Sequence, residues 1–283
     1  MLLALLQGCS TQFTYNRLDW LISWYMGDYI DLDREQKVMF RQRLEPLLEW
    51  HRYEELGEYI QILDGIEQDL GSPVTEAIVG NWMENIIAAA RRIESRMLSL
   101  MLDIGADMDE KQIADFEKKL WKSQAKYRED YLDRDDKEYQ QENFKSLAKN
   151  LRRFMGKLDT LQQQDLQQAL EGMHRFDVTW LEDRERWLTT LTPLLAREPG
   201  WQDAILFAHS KREDTRSSQY REIYAHNTLV LRKAIAGILN NRSDIQNRRM
   251  LKEIKKLRED LAELASKKTP VSWYEEPTVE YRL

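Results

Sequence analysis

Cysteine is almost absent from this sequence of 283 residues, and its scarcity excludes several kinds of protein. A single cysteine, Cys9, permits no disulfide within the chain and no zinc site built from several thiolates. Glycine and proline are also sparse, at 11 and 6 residues. Because a sheet protein needs frequent turns, this scarcity favours long helices joined by short loops. We therefore predict an all-α fold, a bundle-like body of long antiparallel helices.

Long hydrophobic runs and a surplus of positive charge are missing as well. No stretch of 18 apolar residues occurs, so the sequence offers no candidate for a membrane-spanning helix. The net charge is −7, whereas a nucleic-acid binder needs a basic face to displace counterions from phosphates. We therefore expect no nucleic-acid partner. Since glycine-rich phosphate loops and the serine-hydrolase GxSxG motif are also missing, we predict no catalytic residue, cofactor or metal.

Cys9 ends a short apolar segment that has the features of a lipidation signal. Leu6 at position −3 and the small Gly8 at position −1 resemble the lipobox of bacterial lipoproteins, in which the thiol receives a diacylglycerol. No basic residue precedes the apolar segment, so we expect residues 1–8 to be the remnant of a signal peptide that starts upstream. Residues 9–14 are then the lipidated cysteine and a short tether. The alternative is a chance cysteine near a frayed N-terminus.

Lipidation at Cys9 predicts where the protein resides. Acyl chains on the thiol and on the new amino terminus exceed the two signals that stable anchoring requires. Ser10 follows the cysteine, at the position where an Asp typically retains lipoproteins at the inner membrane of enteric-type bacteria. We therefore expect a protein of the bacterial envelope, anchored by lipid to the outer membrane and facing the periplasm.

Helix starts are marked by short polar residues that are followed three positions later by Gln, the signature of a capping box. Four such pairs occur: Asp33…Gln36, Asp109…Gln112, Thr160…Gln163 and Ser243…Gln246. Ser72-Pro73 and Pro199 mark two further starts, and Gly71 and Gly156 mark helix ends. We predict helices over 15–30, 33–51, 53–70, 73–105, 109–155, 160–195, 200–209, 214–240 and 243–266.

Two features of this helical body have alternative interpretations. Segment 109–155 is either one long arm or two helices broken near Asp133–Asp136, where charge dominates. Residues 15–266 form either one helical domain or two subdomains. Residues 267–283 are predicted to be an extended tail, because two prolines interrupt them.

Residues 13–36 contain the most distinctive pattern of the chain: Tyr15-Asn16-x-Leu18-Asp19-Trp20, Trp24-Tyr25, Asp28-Tyr29 and Asp31-Leu32-Asp33 through Gln36. Directly behind a lipobox, this pattern resembles a family of proteobacterial lipoproteins classed only as a domain of unknown function. The resemblance runs along the whole chain and is most specific in this block. It implies an envelope lipoprotein with a helical body, and it carries over no catalytic residues.

The aromatic residues of this block predict a surface at the membrane. Trp20, Trp24, Tyr25 and Tyr29 lie close behind the expected anchor, and amphipathic rings of this kind favour a membrane–water interface. The alternative is that Tyr25 and Tyr29 belong to a core-facing stripe of the helix.

Basic residues are concentrated in the last predicted helix. Arg248, Arg249, Lys252, Lys255 and Lys256 predict a face for an anionic partner such as anionic lipid, cell wall or an acidic protein. The alternative is an ordinary amphipathic helix whose charged face is solvated.

Histidines offer two pairings at helical spacing. Glu171-x-x-His174 has the spacing found in di-iron bundles, and Glu222…His226 places both groups on one helix face. Since a metal site needs further ligands that neither motif supplies, we interpret both as surface pairs or capped core histidines.

Three functions from different classes remain open. The first is a non-enzymatic binding, adaptor or chaperone-like protein that engages an envelope protein or an unfolded client. The second is a structural envelope component that contacts the cell wall through the basic helix. The third is an enzyme with an unrecognised helical site. We favour the first, because the sequence contains a membrane anchor and a helical body but no motif for chemistry.

Overall fold

The computed structural model describes residues 10–267, with the side chains of residues 10, 11 and 13 excepted. Within this range the chain forms twelve α-helices: α1 (Ser10–Tyr15), α2 (Leu18–Gly27), α3 (Arg34–Trp50), α4 (Leu56–Asp69), α5 (Glu76–Asp107), α6 (Glu110–Leu132), α7 (Asp136–Met155), α8 (Thr160–Glu171), α9 (Asp177–Leu194), α10 (Trp201–Ser210), α11 (Ser218–Asn240) and α12 (Asp244–Ser266). No β-strand occurs in the described range, and the predicted all-α class is confirmed. Leu6, Gly8, Cys9 and residues 268–283 lie outside the described residues.

Three of the predicted capping boxes are confirmed, at Asp33/Gln36, Asp109/Gln112 and Ser243/Gln246. The third predicted box is wrong by one residue. Asp159, not Thr160, precedes α8, and its carboxylate accepts a hydrogen bond from the backbone N–H of Gln162 at 2.9 Å. A carboxylate replaces the expected hydroxyl because it accepts this bond more strongly and favours the positive end of the helix dipole.

Several predicted boundaries move for identifiable reasons. Residues 10–14, which are predicted to be a short tether, are helical and belong to α1. Segment 109–155 is two helices, α6 and α7, and segment 160–195 also divides, into α8 and α9. Helix α5 begins after Thr75, whose hydroxyl accepts from Ile78 N–H at 3.3 Å, and not at Pro73.

The predicted break between 51 and 53 does not exist. A π-helical turn, His51–Glu55, connects α3 directly to α4, and the N–H of Leu56 donates to the carbonyl of His51 five residues earlier. Pro46 lies inside α3 without ending it. At the end of α7, Gly156 has the positive φ of 83° that glycine tolerates best, which confirms its predicted role as a helix stop.

The chain divides into two compact units. Of the described residues, one unit contains 10–61, 88–108 and 257–267, and the other contains 62–87 and 109–256. We call them unit 1 and unit 2.

In unit 1, α3 and the residues of α5 that belong to this unit run antiparallel. Arg43 donates to the carbonyl of Asp103 at 3.1 Å, and seven residues later on α3 the ring of Trp50 lies 4.0 Å from the guanidinium carbon of Arg96, seven residues earlier on α5. The apolar side chains of α3 that fill the core recur every four residues, at Phe40, Leu44 and Leu48.

In unit 2, α6 and α9 form a second antiparallel pair. The indole N–H of Trp121 donates to Thr192 at 3.2 Å, and Arg128 pairs with Glu185 at 2.7 Å, so a step of seven forward on α6 matches seven backward on α9. The buried core of this unit comprises Leu70, Val74, Val79, Ala148, Met155, Leu158, Leu166, Leu170, Ala236, Ile238, Leu239, Met250 and Ile254. Burial of these apolar side chains supplies the main stabilisation of the unit.

A buried pair of glutamines joins two helix starts in unit 2. Gln162 and Gln246 each complete a capping box, and their amides exchange two hydrogen bonds, at 3.0 and 2.8 Å. Because both amides are buried and paired, the pair fixes the start of α8 against the start of α12 without leaving polar groups unsatisfied.

Candidate functional site

An exposed aromatic surface lies on α2, nine residues beyond Cys9. Trp20 and Trp24 expose 53% and 60% of their surface, and their rings stack with centroids 6.4 Å apart. Met26, on the opposite side of this helix, is buried. The two indoles therefore form a continuous apolar patch directed away from the core of unit 1. Exposed tryptophans are unusual, because burying each would remove about 150–250 Å² of surface from water.

The two tyrosines of the predicted interface differ in exposure. Tyr25 is 48% exposed, whereas Tyr29 is half-buried beside it, with ring centroids 5.4 Å apart. The alternative interpretation, a core-facing stripe, therefore fits Tyr29 better than Tyr25. We define the aromatic surface as Trp20, Trp24 and Tyr25.

Helix α1, which precedes this surface in the sequence, is hydrogen-bonded to the rest of unit 1. The hydroxyl of Tyr15 lies 2.8 Å from Nδ1 of His51, and Nε2 of the same imidazole lies 3.2 Å from the hydroxyl of Tyr59. The amide of Gln12 also donates to Glu263 at 2.7 Å. The helix that directly follows Cys9 in the sequence is thus held to the rest of unit 1 at two points.

Burial determines the protonation of this network. Burial lowers the pKa of the His51 imidazole to about 4, so the ring is neutral at pH 7 and has one donor and one acceptor nitrogen. Burial also raises the pKa of Tyr15 and of Tyr59, which keeps both hydroxyls protonated. One tyrosine therefore donates to the ring and the other accepts from it.

The π-helical turn brings two charged residues into the core of unit 1. Arg52 and Glu55 are buried, at 5% and 2% exposed. Glu55 accepts two close hydrogen bonds from the guanidinium of Arg92, at 2.6 and 2.8 Å, and this pairing raises the pKa of Arg92. The guanidinium of Arg52 lies 5.4 Å from the ring centroid of Tyr15. Because π-helical turns occur frequently at functional sites, this region is a second candidate site.

Sequence reasoning missed this cluster, although a signal for it was present. The buried positions of α3 recur every four residues, and the same spacing continues from Leu48 to Arg52, with Glu55 three residues further. A charged residue at a core position of a helix must find a partner, so this continuation predicts a buried ion pair or network.

The predicted basic face lies on the exposed side of α12. Arg248, Arg249, Lys252, Lys255 and Lys256 are all exposed. On the same helix Met250 and Ile254 are buried in the core of unit 2. This arrangement fits both interpretations of the helix, as an anionic-partner face and as a solvated amphipathic surface.

The histidines of the two predicted pairings meet each other across unit 2. His174 and His226 are exposed, with ring centroids 4.4 Å apart and planes nearly perpendicular. Nε2 of His226 lies 2.8 Å from the carbonyl of Gly172. Within residues 10–267, no group of three or more His, Cys, Asp or Glu residues could hold a metal ion. No helix in this range is long and apolar enough to cross a membrane.

Residues 28–221 match a family described as a family of unknown function, DUF6279. This match covers more than half of the chain, and it begins after the aromatic surface. No curated protein and no solved structure matches the chain.

Proposed function

Since the chain belongs to DUF6279, a family of unknown function, we propose its role from its own residues: a proteobacterial envelope lipoprotein that binds a protein partner at the membrane surface. In this proposal Cys9 carries the acyl anchor in the outer membrane, facing the periplasm. The aromatic surface lies in the lipid interface, and the helical body engages an envelope protein or client. No catalytic step is part of this role.

The exposure of Trp20 and Trp24 is the observation that carries the proposal. Two stacked indoles on the surface of an isolated soluble domain would cost free energy, whereas at a membrane their apolar faces are buried and their N–H groups stay hydrated. Their position close behind a lipobox cysteine supports the membrane over a protein partner for this particular surface. The hydrogen bond between Tyr15 of α1 and His51 supports it further. Because α1 lies between Cys9 and α2 in the sequence, this bond would keep the aromatic surface close to the anchor.

The anchor is tested on the native product. Mass spectrometry of the N-terminal peptide should show Cys9 carrying a diacylglycerol and an acylated amino group, and Cys9→Ser should release the protein from membranes. An unmodified cysteine in a protein that remains soluble would refute the envelope assignment.

The aromatic surface is tested separately with brominated lipids, which quench nearby tryptophans. In liposomes that hold the lipidated full-length protein, the double variant Trp20→Phe/Trp24→Phe should remove most of the quenched fluorescence. Trp82→Phe is the matched control, because its indole is part-buried and bonded to Asp69 at 2.7 Å. Equal quenched intensity in the double variant and the parent would refute insertion of this surface.

The partner is sought by crosslinking in living cells, followed by purification from membranes. A protein recovered with the parent but lost with Cys9→Ser would support binding at the membrane. Recovery of the same partner at the same yield from Cys9→Ser would show that the membrane is not needed.

A structural role at the cell wall is the second candidate, and the exposed cations of α12 favour it. Cell-wall polymers carry anionic groups that an extended basic face attracts. The parent should then co-sediment with purified sacculi, and reversal of charge at Lys252, Lys255 and Lys256 should abolish this. Co-sedimentation that survives the reversal would exclude this face.

A further inference from the structure

Three arginines of unit 2 converge on one buried carboxylate. Asp183 on α9 is only 5% exposed, and its oxygens lie 3.7 Å from Arg186, 3.9 Å from Arg212 and 3.8 Å from Arg216. Arg186 is on the same helix as Asp183, whereas the other two belong to the segment between α10 and α11. Residues distant in sequence are therefore gathered around a single negative group.

The guanidinium groups retain donors that Asp183 does not use. None of the three distances to Asp183 is short enough for a hydrogen bond, which in proteins has its donor and acceptor about 2.7–3.2 Å apart. The Nε atoms of Arg212 and Arg216 are buried and lack a hydrogen-bond partner within the described residues. A buried donor left unpaired is costly, and native proteins usually retain such groups where a ligand or water completes them.

Aromatic rings hold two of these arginines in place. The guanidinium carbon of Arg212 lies 5.2 Å from the ring centroid of Trp187, and that of Arg216 lies 4.5 Å from the ring of Tyr220, which is itself buried. Stacking on a ring restricts the rotation of a guanidinium while leaving its N–H edge available. The donors are thus organised before any ligand arrives.

The local charge is positive. Three guanidinium groups face two carboxylates, Asp183 and Glu213, the second of which pairs with Arg216 at 2.5 Å and is largely exposed. The neighbouring Lys211 and Asp214 pair with each other at 3.4 Å and leave this balance unchanged. An additional anion would complete the charge balance and could reach the exposed parts of these guanidinium groups, since the side chains of Arg186, Arg212 and Arg216 are 45%, 29% and 19% exposed.

We propose that Arg186, Arg212 and Arg216 form a binding site for the phosphoryl group of a phosphate monoester or of free phosphate. A phosphoryl group has three terminal oxygens, one for each guanidinium, whereas a carboxylate has only two. At pH 7 it also carries a charge of about −1.5 to −2, which suits a site with surplus cations. Planar guanidinium forks bind such oxygens through paired hydrogen bonds. This site does not depend on lipidation of Cys9.

Binding of inorganic phosphate to the full-length protein tests the site, measured by calorimetry and by the thermal unfolding midpoint. Sodium chloride at equal ionic strength controls for screening. Arg212→Ala should weaken phosphate binding at least about tenfold, because hydrogen bonds between charged groups are lost. Arg186→Ala, at a half-exposed position whose loss the fold tolerates more easily, should weaken it in the same direction. The matched control is Arg128→Ala, an exposed arginine paired with Glu185, which should bind as the parent does.

Asp183→Asn gives the opposite effect. Without the carboxylate the three cations repel each other, so phosphate should raise the unfolding midpoint of this variant more than that of the parent. Vesicles of phosphatidylcholine with and without phosphatidic acid identify the source of the phosphoryl group. Binding to free phosphate indicates a soluble ligand. Binding only to vesicles with phosphatidic acid, and only when the arginines are present, indicates a lipid headgroup. The proposal is overturned if neither probe binds, if chloride acts equally, or if Arg212→Ala binds as tightly as the parent.

Discussion

Lowering the pH from 7 to 5 should destabilise the protein through His51. This imidazole is part-buried between Tyr15 and Tyr59, and its pKa falls from the ordinary 6.5 to about 4 in the folded state. Between these values the unfolded chain binds a proton that the folded chain does not, so stability is complete above pH 6.5 and is lost as the pH falls towards 4. For this pair of pKa values the loss between pH 7 and pH 5 is about 2 kcal/mol.

Urea unfolding at pH 7 and at pH 5 measures this loss. His51→Gln keeps one donor and one acceptor but does not titrate, so its free energy of unfolding should fall about 2 kcal/mol less than that of the parent over the same interval. His174→Gln, which replaces an exposed histidine outside this network, is the matched control for the substitution itself. Equal losses of stability in the parent and in His51→Gln between the two pH values would show that His51 does not cause the pH dependence.

Three further predictions test the packing. Glu55→Ala should lower the free energy of unfolding by about 2 kcal/mol, because the paired hydrogen bonds from Arg92 are lost. Urea titration measures this loss, and an unchanged midpoint would contradict it. Gln162→Ala and Gln246→Ala should each lower the free energy of unfolding by about 2 kcal/mol. The double variant should lose at least about 1 kcal/mol less than the sum of the two single losses, because the two amides bond to each other. Strict additivity would mean that the two amides do not interact. Gly156→Ala should destabilise the protein by about 1 kcal/mol or more, since φ at this position is +83°. Gly65→Ala inside α4 should stabilise the protein slightly, because alanine favours a helix more than glycine does. Thermal melts compare the two variants, and changes of the same sign would contradict the assigned conformations.

Local signals in the sequence predicted several helix starts and stops. The capping boxes at Asp33, Asp109 and Ser243 depend on contacts within four residues, and the positive φ of Gly156 depends on that glycine alone. The capping box predicted at Thr160 shows what local signals do not determine. Asp159 and Thr160 are both competent caps for the same helix. With Asp159 as the cap, the capping box includes Gln162, which also bonds to Gln246, a residue 84 positions away.

Periodicity indicates that Arg52 and Glu55 are buried, but composition and periodicity do not identify the partners within the polar clusters. The network around His51 joins Tyr15, Tyr59 and the π-helical turn, and the arginines around Asp183 come from two separate segments. In both cases a side chain that resembles an ordinary surface residue in its own helix meets partners from another segment of the chain. Only one half of each interaction is visible locally.

By itself the sequence determined that this protein is helical, where several of its helices begin and end, and that Trp20 and Trp24 share one helix face. These properties follow from hydrogen bonds and spacing within a few residues. The tertiary structure decided which charged and aromatic groups are buried, which are exposed and which meet, and hence the pKa of His51 and the convergence on Asp183. Those properties depend on which surfaces lose their water when distant elements pack, and no short stretch of sequence contains that information.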